Sequence, residues 1–180
     1  MQDLEHEFRR LKTLAEEAAA QVADDGFFSA LGVGDNSIPV LLKHMGGNLR
    51  SRWREVLTTD GEKPDRHRDQ EFVIGDNESR DDIMRIWELG WATLFDSLAT
   101  LGPDDWERTI YIRREPHTVR QATYRCLTHM ACHVGQVVLL AKHHVGASWR
   151  TLSIPRGETD TYNEKQGDYR SDHPQSAKTQ

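Results

Sequence analysis

The chain has 180 residues, a formal net charge of −6, 37% hydrophobic residues and a mean hydropathy of −0.72. That is enough for one domain with its own core, and the acidic balance argues against a general nucleic-acid surface. No apolar run approaches the roughly 18–20 residues of a membrane span, and the charged start "MQDLEHEFRRLKTLAEE" lacks a signal core, so neither a membrane partner nor secretion is expected.

Periodicity predicts four long helices. The first covers about Asp3 to Ala23, with Leu4, Phe8, Leu11, Leu14 and Ala18 on one face. The glycine-rich "DDGFFSALGVGDNS" breaks it. The second starts near Ser37, where Asn36 or Ser37 can cap and Pro39 suits the first turn, and runs to about Leu57. Its pair Gly46–Gly47 is poor helix material and points to a bend, close packing or a close ligand. A long charged loop, Thr58 to Ser79, follows; loops of that length are often functional or mobile.

The third helix opens at Ser79, with Asp82 placed for a capping box, carries Trp87, Trp91 and Phe95 on its core face, and stops before Gly102–Pro103. The connector "WERTIYIRREPH" holds one short extended piece at Ile110–Ile112. The fourth helix opens at Thr118, with Gln121 three residues on, and runs to about His144, with Gly146 as its stop. The expected architecture is all-α, an up-and-down-type four-helix bundle over residues 1–158. Residues 159–180 read as a polar, flexible tail, with the last dozen disordered. Cys126 and Cys132, six apart in one predicted helix, fit a reducing cytoplasm better than a disulfide.

The chemistry concentrates in "THMACHVGQVV". His129 and His133 are one helical turn apart at the edge of the apolar arc formed by Val119, Ala122, Cys126, Met130 and Val134. Two imidazoles so placed can share one metal ion, although Met130 stands where a zincin would have glutamate. The second helix has a matching edge stripe, His44–Asn48–Arg52. If the two helices are neighbours, His44 joins the pair, and three neutral imidazoles with an open position make a catalytic type of donor set. HxxxH alone is a weak motif, and the same residues also read as half-buried histidines satisfied by hydrogen bonds.

Glu71, in "RHRDQEF", is a general-base candidate or an acceptor behind a ligand histidine, and Asp69 shares that reading; a solvated ion pair is the competing one. Asn48 and Arg52 are candidates for orienting an anionic substrate, or else capping and surface partners. Cys126 reads as a small core hydrophobe, and Gln136, near the histidine edge, as a packing residue or else a donor to bound water. His143 and His144 suit the negative end of the fourth helix, and His67, His117 and His173 fall in loops.

The ordered set "KHMGGNLRSRW", "TTDGEKPDRHRDQEF", "HMACHVGQVVLLAK" and "WRTLSIPRGE" resembles the DinB/YfiT-like superfamily, closest to an uncharacterised-domain branch of it. The resemblance implies an up-down-down-up type of four-helix bundle and a divalent ion, usually nickel or zinc, held by His44, His129 and His133; imidazole donors would also suit iron. It further implies frequent homodimers and, among characterised relatives, transferases or isomerases that use a low-molecular-weight thiol. The resulting expectation is a metal-dependent small-thiol transferase or hydrolase acting on a small-molecule substrate. The alternative is a stress-associated dimeric binding module whose metal is structural or absent.

Overall fold

The computed structural model of the chain describes residues 2–166. It is mostly helical, with one two-stranded sheet. The elements are α1 (Gln2–Ala19), α2 (Asp24–Phe28), α3 (Ile38–Trp53), α4 (Arg80–Thr100), β1 (Thr109–Ile112), β2 (Glu115–Thr118), α5 (Val119–Val145) and α6 (Thr159–Gln166). The chain divides into two units, Met1–Ser148 and Trp149–Gln180. The second contains α6, whose residues are exposed or half-buried, within the segment expected to be a flexible tail. The closing dozen residues and His173 lie outside the described residues.

The four long helices arise where the apolar spacing and end signals coincide. Ser79 and Asp82 form the reciprocal capping box at α4, and Thr118 and Gln121 form the one at α5. Each satisfies two backbone N–H groups that a helix start otherwise leaves unpaired. Gly146 ends α5 at a φ of 61°, a left-handed conformation that glycine adopts without steric cost. The second helix ends at Trp53, earlier than expected, and the chain turns through Glu55, whose φ is 51°.

Within the first unit α3 packs along α4, α1 along α5, and α3 also meets α5. Phe8, Met45, Leu49, Ile83 and Leu94 are fully buried between them. Each such side chain contributes roughly 1.5–3 kcal/mol of transfer free energy. Trp87 and Trp91 meet edge-on, with ring centroids 5.3 Å apart, and the Trp87 indole N–H donates to Glu16 at 2.8 Å.

The glycine pair of α3 has two separate jobs. A Cβ on Gly46 would lie 2.5 Å from the Ile86 carbonyl oxygen, so this glycine lets α3 and α4 touch backbone to backbone opposite Gly90. A Cβ on Gly47 would collide with the Glu71 carboxylate, so this one makes room for a side chain of the loop. Neither is a bend.

The extended piece expected at Ile110–Ile112 is the core of β1, and it pairs antiparallel with β2, which was not expected. The hairpin turns through Arg113 and Arg114, at φ 54° and 66°. Such turns normally carry Asn-Gly, and a left-handed L-residue costs roughly 1–2 kcal/mol. Asp60 compensates from the loop. Its two carboxylate oxygens accept the N–H groups of Arg113 and Arg114, each at 2.8 Å, and one also accepts the N–H of Glu62 at 2.7 Å. Next to it the Gly61 N–H donates to the Tyr111 carbonyl at 2.7 Å, while Ser51 and Arg52 donate to the Gly61 carbonyl. The long loop is therefore latched to both α3 and the hairpin. No helix among the described residues is long and apolar enough to cross a membrane.

Candidate metal centre

The packing of α3 against α5 brings His44 beside His129 and His133, as the two edge stripes require. His44 is buried and the other two are half-buried. The Nε2 atoms converge: His44 Nε2 lies 3.4 Å from His129 Nε2, which lies 3.1 Å from His133 Nε2. Three imidazole nitrogens about 2.0–2.1 Å from one tetrahedral ion would stand roughly 3.3 Å apart, so the spacing fits a shared ion.

The outward nitrogens are already committed. His44 Nδ1 lies 2.9 Å from Glu71 Oε2, and Glu71 receives two hydrogen bonds from Arg66, at 2.8 and 2.9 Å. Burial opposes ionisation of Glu71, but hydrogen bonds from His44 and Arg66 hold its carboxyl below the usual range. An ionised carboxylate only accepts, so neutral His44 carries its proton on Nδ1 and leaves Nε2 bare. His133 Nδ1 meets Gln136 Oε1 at 2.7 Å, which leaves its Nε2 bare as well. His129 has one Nε2 and can donate to only one neighbour. One of the two bare lone pairs is then left without a donor, a place that a cation among the three nitrogens would fill, and that unanswered lone pair is the chemical argument for a metal.

The protonation states agree. Burial pushes His129 down to about 4, and His133 and His44 add to the effect. Burial also lowers His133, against the hydrogen bond it donates to Gln136. Metal ligation needs neutral imidazoles, and both are neutral at pH 7. Phe72 closes one side of His44, with ring centroids 4.8 Å apart.

Of the residues expected to work beside the ion, Asn48 and Arg52 line a cavity of about 200 Å³ that His44 and His129 border. Arg52 also holds Glu62 at 2.7 Å and the Gly61 carbonyl at 2.6 Å. Glu71 stands behind His44, with both oxygens engaged. Asp69 is exposed and lies 3.6 Å from Arg68. Cys126 borders the cavity, but burial pushes its thiol up to about 12, and its sulfur accepts the Trp53 indole N–H at 3.3 Å. It is not a nucleophile.

Sequence reasoning missed Arg66 and the tie between His133 and Gln136. Arg66 carried no local signal, because its partner is set by how the loop folds. Gln136 did have one, since it lies three residues after His133 on the same helix.

No curated protein and no solved structure is matched by the chain. One family matches across residues 1–158, so the histidine centre and everything that supports it fall inside the matched region: the chain belongs to the family described as "Protein of unknown function (DUF1572)".

Proposed function

We propose that this protein is a DinB-like metalloprotein, a four-helix bundle in which His44, His129 and His133 hold one divalent ion, nickel or zinc, and that it is a metal-dependent enzyme of the small-thiol transferase or hydrolase type. The observation that carries the reading is the convergence of three Nε2 atoms, two of them bare, at the edge of a cavity. The pairing of α3 with α4, α1 with α5 and α3 with α5 supports the bundle.

Such an ion supplies a Lewis acid that polarises a substrate oxygen and lowers the pKa of water or a thiol. The chain's own residues do the rest. Arg66 fixes Glu71, Glu71 fixes the His44 tautomer, and Gln136 fixes that of His133, so the donor set is oriented before any ligand arrives. Glu71 is thus a positioning residue. Asn48 and Arg52 stand on the cavity wall, where a substrate would be oriented. Because Cys126 is held protonated, it does not supply the reacting thiol at the cavity. Cys126 and Cys132 are both free thiols, which supports a reducing compartment such as the cytoplasm.

Cobalt(II)-substituted protein provides the test. Visible bands that shift when 2-mercaptoethanol is added indicate an exchangeable coordination position, as the enzyme reading requires. A spectrum indifferent to added thiol, together with a steep loss of thermal stability on chelation, would instead identify a closed structural site.

A further inference from the structure

The cavity beside the histidines has an electrostatic character that the metal does not explain. Arg52, Arg66, Arg68, Arg113 and Arg125 line it, and among the described residues no carboxylate does, in a chain whose net charge is −6. The acidic residues that reach these arginines are few. Glu62 serves Arg52 and Arg113, Glu71 serves Arg66, and Asp69 lies 3.6 Å from Arg68. Among the described residues Arg125 has no carboxylate partner; its Nη1 lies 3.0 Å from His117 Nε2.

Three further features show that the positive charge is built in. Arg66 has a side chain only 4% exposed, and its Nη1 is buried without a hydrogen-bond partner, at 3.6 Å from Glu62. Buried guanidinium N–H groups are normally satisfied, and an acceptor entering the cavity would complete this one. Arg125 stands four residues before His129, which stands four before His133, so one stripe of α5 presents a guanidinium and then two imidazoles. Arg113 is held at the cavity by a left-handed turn that Asp60 has to staple, and backbone strain retained in this way clusters at ligand sites.

We propose that this cavity binds a small oxyanion-bearing molecule, a carboxylate or a phosphate, anchored by Arg66, Arg68, Arg113 and Arg125. Its reactive part would then lie toward the three histidines. The inference rests on the metal-enzyme reading for its catalytic meaning, since it names the substrate class of that site, but the anchoring itself belongs to the arginines. Guanidinium forks match both oxyanions, whereas a neutral analogue leaves the charges unanswered.

The test is calorimetric titration of succinate, inorganic phosphate and the neutral succinamide into full-length protein, both zinc-loaded and chelated. At least one anion should bind about tenfold or more tightly than succinamide in both forms, with affinity falling as salt rises. In R113Q/R125Q that affinity should drop by about tenfold or more while zinc stoichiometry is unchanged. Both side chains are exposed, so the variant keeps its core. Arginine-dependent anion binding by a chain that takes up no zinc would remove the metal reading and leave the anion site standing. Zinc held at the histidines with no preference for anion over succinamide, or with wild-type anion affinity in R113Q/R125Q, would overturn the anion site and leave the metal.

Discussion

The Arg66–Glu71–His44 relay makes the sharpest prediction, through Glu71→Gln. Glutamine preserves shape but offers one oxygen in place of two. With that oxygen at the Oε2 position, the contacts to His44 Nδ1 and Arg66 Nη2 survive, and the new amide NH2 points at Arg66 Nε, 2.8 Å away. A donor then faces a donor, beside a guanidinium that has lost its buried counter-ion. Breaking a buried pair on one side typically costs about 3–5 kcal/mol. At roughly 2–4 °C per kcal/mol for a chain of this size, the melting temperature should fall by about 6–20 °C. The neutral acceptor also polarises His44 less, so metal affinity should fall about 10–100-fold. The double variant R66M/E71Q removes the clash of donors. It should recover most of the stability and none of the metal affinity. The assays are thermal melting and competition with a fluorescent chelator. A Glu71→Gln protein that melts within about 2 °C of wild type and keeps its metal affinity would refute the relay.

Other expectations concern the glycines, the hairpin and pH. Gly46→Ala should cost about 1–3 kcal/mol of stability, seen by urea titration, because its Cβ meets the backbone of α4; Gly47→Ala should chiefly weaken metal affinity by pushing Glu71 aside. Asp60→Ala, which strands three backbone N–H groups, should destabilise the chain by about 2–3 kcal/mol, and Arg114→Gly should stabilise it by up to about 1 kcal/mol in thermal melts. In metal-free protein, burial holds His129 at about 4 against about 6.5 for a free histidine, so the unfolded chain binds the extra proton first. The His129 contribution to stability should therefore decline as pH falls from about 6.5 to about 4 and level off below, and His129→Gln should flatten that part of the slope in urea midpoints measured against pH.

Much of the helical layout was legible because its signals are local. Ser79 with Asp82, Thr118 with Gln121, and Gly146 mark helix ends by the hydrogen bonds they make within one turn. The edge stripes also reported correctly that His44, His129 and His133 border a core face. What stayed hidden depends on distant partners. The strand Glu115–Thr118 reads "EPHT", with a proline and no alternation, and it forms only because Ile110 and Ile112 lie opposite and Asp60 holds the turn. The short helix Asp24–Phe28 lies in a stretch read as a break, and it exists where Phe27 finds a fully buried place. Arg125 projects outside the apolar arc of its helix, as the periodicity says. Only the fold of the hairpin just before it, which the periodicity does not show, turns that rim into a cavity wall.

The central claim is that three imidazoles on two helices hold one metal ion. The most direct measurement is elemental analysis of protein purified without a histidine tag, beside His44→Ala, His129→Ala and His133→Ala. The account predicts about one divalent ion per wild-type chain and loss of that ion in each variant, with helical circular dichroism retained. A wild-type chain without bound metal under any loading condition, or variants that keep their full content, would contradict it.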